Sequence, residues 1–131
     1  MTWLLDTNVL IHAQRGRPAA VSKRLVSLSP DDLVISAVTV AELWYGIAKN
    51  ADAERKRTLW NRFLEPFTIV PFDRAAAEEH GRVRHLLRQK PIGERDLFIA
   101  AIALANGFTL VTSNLDEFSR VPDLVVENWA E

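Results

Sequence analysis

The feature that most constrains this chain is a rhythm: apolar runs of strand length alternate with stretches of helical periodicity. Residues 2–5 "TWLL", 33–36 "LVIS", 67–70 "FTIV", 109–112 "TLVT" and 124–128 "LVVEN" read as strands. Helices are expected over about 9–14, 19–28, 52–64, 74–89 and 94–105. A further one, opened by Ser36 or Thr39, carries Val40, Leu43, Trp44 and Ile47. Asp73 stands where a cap is needed and Gly107 where a helix should stop. Strands that are apolar without alternation are buried on both faces, and strands separated by helices pair in parallel. The fold class is therefore α/β, a mostly parallel sheet between two helical layers. At 131 residues it is one domain, residues 1–131.

Composition narrows the function classes. Apolar residues are 48% of the chain, enough for a proper core, and there is no cysteine, so no disulfide frame and no thiolate metal site. No basic segment precedes an apolar stretch at the start, and the longest apolar runs fall short of a membrane span. A cytoplasmic protein without membrane contact is expected. The net charge of −1 means that nucleic-acid contact has to come from a local basic face.

Ligands of parallel sheets bind beyond the carboxyl ends of the strands. Four acidic residues fall there: Asp6 after "WLL", Glu42 in "ISAVTVAELWYG", Asp96 in "PIGERDLFIAAIALA" and Asp116 in "LVTSNLDEF". Each has a plain structural explanation. Asp6 can cap the first helix, Glu42 can be an ordinary helix-surface residue, Asp96 can favour a helix N-terminus through the dipole, and Asp116 can sit in a surface turn. Glu94 and Glu117 compete with Asp96 and Asp116. Gathered together, such carboxylates repel and need a cation. All-oxygen ligands favour Mg2+ or Mn2+, which can activate water against a phosphodiester.

Four segments settle between these readings. "LLDTNVLI", "ISAVTVAELWYGI", "PIGERDLFIAAIALANGFTLVTSNLDEFSRV" and "LVVENW" resemble the PIN-domain ribonucleases, most of all the VapC toxins of bacterial toxin–antitoxin pairs, in order and spacing over nearly the whole chain. The resemblance implies a PIN-like three-layer α/β/α sandwich and a Mg2+-dependent endoribonuclease toxin, often acting on transfer RNA. It further implies a homodimer and a VapB-like antitoxin that blocks the acidic site. Asp6, Glu42 and Asp96 match the family's acidic positions, with Asp6 and Asp96 as metal ligands. The fourth position is open: "TSN" stands where relatives carry "TNN" or "TND", so Asn114 sits where some have a carboxylate, and Asp116, two residues later, is the candidate fourth catalytic acid, in its place or through water. Thr7, Asn8, Thr112 and Asn114 match polar positions that support the acidic cluster.

Arg15, Arg17 and Arg95 are the candidate RNA contacts. His80 lies on the apolar stripe of its helix and reads as structural. A haloacid-dehalogenase-like phosphatase would need a second aspartate where Asn8 stands, and a receiver domain would need a lysine after a late strand, whereas Lys90 follows a helix. The alternative kept beside the nuclease is a catalytically inactive PIN-like binding module. Trp44, Tyr45, Ile47, Leu59, Trp60 and Phe63 offer more apolar surface than internal packing needs, and an exposed groove for the partner is expected among them.

Overall fold

The computed structural model describes residues 1–130. Its five strands, β1 (Trp3–Leu5), β2 (Leu33–Ser36), β3 (Thr68–Val70), β4 (Thr109–Val111) and β5 (Val126–Glu127), form one sheet in the order β3-β2-β1-β4-β5. Every pairing is parallel, so the sheet is wholly rather than mostly parallel. The helices are α1 (Thr7–Arg15), α2 (Ala19–Val26), α3 (Ala37–Ala48), α4 (Ala53–Leu64), α5 (Arg74–Leu86), α6 (Glu94–Asn106) and α7 (Leu115–Phe118).

Alternate strand residues feed two cores. Leu4, Val34 and Leu110 pack with Ala76 and Val83 of α5 and with Ile99, Ala100 and Ile102 of α6. Trp3, Leu5, Leu33, Ile35 and Val111 pack with Val9 and Leu10 of α1, Val21 of α2, Leu43 of α3 and Leu64 of α4. The result is a three-layer α/β/α sandwich, with the central strand β1 fully enclosed. Among the described residues no helix is long and apolar enough to cross a membrane.

Local chemistry sets the helix ends. Ser36, rather than Thr39, caps α3: its hydroxyl accepts from the Thr39 N–H at 3.0 Å. Asp73 caps α5 through the Ala76 N–H. Gly107, at φ 69°, closes α6 in the left-handed conformation that glycine tolerates best. Three helices differ from the sequence reading by two residues or more, α2 ending at Val26 rather than 28. α1 begins two residues early because the Asp6 carboxylate takes the Val9 N–H and starts the helix at Thr7. α5 ends at Leu86 rather than 89, where the Arg88 guanidinium donates to the His85 carbonyl at 2.9 Å. His80 stacks on Phe98 at 4.6 Å and meets Phe72 edge-on, a packing role as expected.

Strand order places the site. β1, β2 and β3 run outward in one direction, and the chain then returns through α5 and α6 to lay β4 on the other side of β1. The direction reverses between β1 and β4, and the crevice at their carboxyl ends is where such folds hold ligands.

Candidate active site

Asp6 occupies that crevice. It follows β1, its N–H donates to the Val111 carbonyl of β4 at 3.0 Å, and its side chain is only 7% exposed. Both carboxylate oxygens are engaged. Oδ1 accepts from the Val9 N–H at 2.9 Å, and Oδ2 accepts from the hydroxyl of Thr112, the residue after β4. Asp6 is thus a helix cap, but a cap buried deeper than capping requires. Burial pushes its carboxyl above the ordinary range, the Thr112 and Val9 hydrogen bonds oppose the shift, and the Glu42 charge adds to it.

Glu42 projects from the second turn of α3. The Thr7 hydroxyl donates to its Oε1 at 2.9 Å and the exposed Arg95 guanidinium lies 3.4 Å from its Oε2. Thr7 also reaches Thr39, which in turn contacts Ser36, so a hydroxyl chain ties the start of α1 to the start of α3.

Asp96 lies on the first turn of α6 and is half-buried. Its carboxyl is pushed up to about 7, first by burial, then by its hydrogen bond with Glu117 and the charges of Glu117, Asp6 and Glu42. Glu117 moves the opposite way, lowered chiefly by the bond from Asp96 and also by the Gly93 N–H and Asn114. Burial and the neighbouring carboxylates thus favour the protonated form of Asp96, with Glu117 as its hydrogen-bond partner, as expected of two crowded carboxyls with nothing positive between them. The Asn114 amide donates to Asp96 Oδ2 and to Glu117 Oε2, at 3.3 Å each. The bare backbone of Gly93 keeps this corner open; a methyl there would stand 3.6 Å from Asp96 Oδ2 and 3.7 Å from Glu117 Oε2.

Of the residues singled out from sequence, the structure gathers Asp6, Glu42, Asp96, Thr7, Thr112 and Asn114. Asn8 is exposed and makes no side-chain hydrogen bond among the described residues. Asp116 is exposed on the outer side of α7, whereas its neighbour Glu117 turns inward. The fourth carboxylate at the crevice is Glu117, and Asn114 bridges it to Asp96. Arg15 and Arg95 line a cleft beside Glu42, while exposed Arg17 is not among its lining residues.

The donor set suits a hard divalent cation: carboxylate, amide and hydroxyl oxygens, with Arg95, among the described residues, the one cationic side chain ion-paired to the group. No three of the described acidic or imidazole groups are already drawn together into a metal cage. A cation entering here would take the place of the proton that crowding favours on Asp96.

The cleft measures about 590 Å³ and is walled by α1, α3, α4 and Arg95. Of the six apolar residues expected to form a partner groove, Tyr45 and Leu59 are exposed, at 65% and 43%. Trp44, Trp60 and Phe63 are half-buried against the core and Ile47 is buried, so internal packing claims most of that surface.

Comparison with known proteins agrees with this geometry. The family model described as PIN domain matches residues 3–124. Ribonuclease VapC2 of Rickettsia felis is 36% identical over 132 residues, 98% of each chain. The crystal structure of VapBC2 from that organism, bound to a DNA fragment from their promoter, superposes with a TM-score of 0.90, covering 98% of this chain and 99% of the other. The tRNA(fMet)-specific endonuclease VapC of Shigella flexneri is 36% identical over 99% of each chain. A toxin-antitoxin complex from Klebsiella pneumoniae matches with a TM-score of 0.75 at 27% identity, covering 99% of each chain. With the family match running from β1 to just before β5, and with relatives aligned over nearly its full length, this chain belongs to the PIN-domain family, among its VapC ribonucleases.

Proposed function

We propose that this protein is an endoribonuclease toxin, dependent on Mg2+ or Mn2+ and held in check by a VapB-like antitoxin. The observation that carries the reading is the buried Asp6 at the strand crossover, facing Asp96 and Glu42 across a crevice that concentrates negative charge. A fold retains such a cluster at a cost in stability unless the charge is used.

Asp6 and Asp96 are the residues that would hold the cation, with Glu42 and Glu117 flanking it. When bound, a divalent cation supplies Lewis-acid polarisation of a phosphate oxygen and acidifies water. The chain's own residues do the rest. Thr112 fixes Asp6 in one orientation, leaving the carboxylate no freedom to rotate away. Thr7 does the same for Glu42. Asn114 positions Asp96 and Glu117 together. Glu42 and Glu117 are the available acceptors for the proton of an attacking water. Arg95 and Arg15, exposed along the cleft, attract the RNA backbone to an otherwise acidic edge.

Transfer RNA is the substrate to test first, because the Shigella flexneri relative is a tRNA(fMet)-specific endonuclease. The antitoxin fills the same cleft and places a basic side chain against the acidic cluster, and the toxin acts in the cytoplasm as a homodimer. Purified toxin freed of its antitoxin should cut RNA with Mg2+ or Mn2+ and stop in EDTA. The Asp6→Asn variant should be inactive under all three conditions. Undiminished cleavage in chelator would sink the metal-dependent reading, and an active Asp6→Asn would sink the site.

A further inference from the structure

Tyr45 is unusual among the aromatic residues of this chain. Apart from Phe98, which packs on Phe72 and His80, the other large rings pack against one of the two cores, but Tyr45 is 65% exposed. It lies three residues after Glu42 on α3, on the same helix face and one turn along. The Lys49 ammonium sits 4.5 Å from the centre of its ring. Tyr45 also forms the ridge between two cavities. One is the cleft lined by Arg15, Arg55, Lys56 and Arg95; the other, of about 420 Å³, is lined by Val38, Phe72 and Phe98. Glu42 and Arg95 border both.

A large exposed aromatic ring costs free energy by ordering water around an apolar surface. Among the described residues the hydroxyl of Tyr45 makes no hydrogen bond, and its ring belongs to neither core. What surrounds it is a set of cations in a cleft that opens onto an acidic cluster. Cations arrayed along a groove with a free aromatic face is the arrangement by which proteins take up unpaired nucleotides, phosphates on the charges and bases on the ring. A duplex keeps its bases stacked on one another and has none to offer.

Resting on the RNA-cleaving reading, we infer that Tyr45 is a substrate-positioning residue that stacks on one unpaired base next to the scissile phosphate, making the enzyme selective for single-stranded RNA at that nucleotide. The helix spacing sets the register. A scissile phosphate brought to the edge of the acidic cluster beside Glu42 puts the stacked base one helical turn along α3, within the same nucleotide or its immediate neighbour. Lys49 holds the ring from one side and leaves stacking to the other. The contact is made through the ring face, so phenylalanine serves and alanine does not.

The test uses a short single-stranded RNA spanning the cut mapped for the wild-type toxin, together with copies carrying an abasic nucleotide at each position flanking that cut. Tyr45→Ala should raise KM by roughly 5- to 150-fold, the worth of one base–aromatic stack, with kcat within about two-fold. Tyr45→Phe should restore the wild-type value. One abasic position should cost the wild type a similar factor and cost Tyr45→Ala nothing more, while all other positions affect both proteins equally. Unchanged KM in Tyr45→Ala, a loss that phenylalanine does not rescue, or abasic and alanine losses that multiply at every position would each overturn the inference. Anisotropy titrations of the same RNAs into the Asp96→Asn protein give a readout without cleavage. If the wild type cuts no RNA, the titrations use a single-stranded oligonucleotide of fixed sequence and its copies abasic at each position in turn; weaker binding by Tyr45→Ala that one abasic copy abolishes then leaves stacking standing while the nuclease reading falls. If Tyr45→Ala leaves RNA binding untouched and weakens only capture of a partner polypeptide, the ridge belongs to a protein and the inference fails.

Discussion

Replacing Asp96 by asparagine should make the metal-free protein more stable while abolishing its activity. The carboxyl is raised from its ordinary 3.8 to about 7 in the folded chain. Between about pH 4 and pH 7 the folded state keeps a proton that the unfolded chain has released, so stability falls as pH rises across that window. Taken alone, a shift of that size corresponds to about 4 kcal/mol. Two effects reduce it. Asp96 is only half-buried, so solvent screens its neighbours. The lowered pKa of Glu117 returns part of the cost, since the two groups are coupled through one hydrogen bond. A net penalty of about 1–2 kcal/mol above pH 7 remains.

Asparagine has the shape of the protonated acid. Its Nδ2 can donate to Glu117 as the protonated carboxyl does, and its oxygen can accept from the Asn114 amide that now serves Asp96. In EDTA at pH 8, Asp96→Asn should therefore melt about 3–8 °C above the wild type. At pH 5, roughly a third of the way through that window, the gain should shrink to about a third, and it should vanish only below about pH 4. Adding Mg2+ should then reverse the order at pH 8. The wild type gains about 2.7 kcal/mol when the free ion reaches one hundred times its Kd, and the variant, lacking a ligand, gains little. Melting curves at two pH values, with and without Mg2+, read all three effects. An equal gain at pH 5 and pH 8 would show that the substitution acts by packing. No gain at pH 8 would show that Asp96 is not strained by its neighbours.

The other site residues have graded consequences. Glu117→Gln should cost cleavage at least about ten-fold, by the usual worth of a positioned proton acceptor, while Asp116→Asn stays within about two-fold; initial rates on one RNA rank them, and a reversed ranking would restore Asp116 to the site. Thr112→Val removes the hydroxyl that serves Asp6 Oδ2 and should destabilise by about 1–3 kcal/mol in urea melts at pH 8. The same change should move the acid limb of the pH–rate profile upward, because the bond that opposes the rise of the Asp6 carboxyl is gone.

How much of this could be read from the chain depends on the length over which each signal acts. The strands and their helical covers show themselves by runs of four or more apolar residues and by caps such as Ser36 and Asp73, which act within three residues. Asp6, Glu42 and Asp96 are found because they fall where parallel strands end, a property of topology. The fourth carboxylate fails that test. α7 is a single turn, too short for periodicity to set its phase, and Asp116 and Glu117 are adjacent. One signal was present all the same. Asn114, Glu117 and Phe118 stand at i, i+3 and i+4, so they share a face, and Phe118, fully buried, fixes that face inward. Asp116 is a step of about 100° from Glu117 and is carried to solvent.

The cleft was hidden for the opposite reason. Its walls come from α1, α3, α4 and the first turn of α6, and only the folded chain brings Arg15, Lys56 and Arg95 to one side of Glu42. That grouping resolves the difficulty raised by a net charge of −1. A polyanionic substrate does not sense the total; beyond about 10 Å, ordinary salt screens what distant charges contribute. It senses the wall it slides along, which is basic, until the backbone reaches the acidic floor. There the repulsion becomes useful only when a cation stands between phosphate and carboxylate. RNA binding and metal binding should therefore be mutually reinforcing: in the wild type, Mg2+ should tighten RNA binding, whereas in Asp96→Asn, with less charge to neutralise, the metal-free affinity should already be higher and the dependence on Mg2+ weaker. Anisotropy titrations with and without Mg2+ measure both slopes, and equal slopes in the two proteins would separate the acidic floor from the path of the RNA.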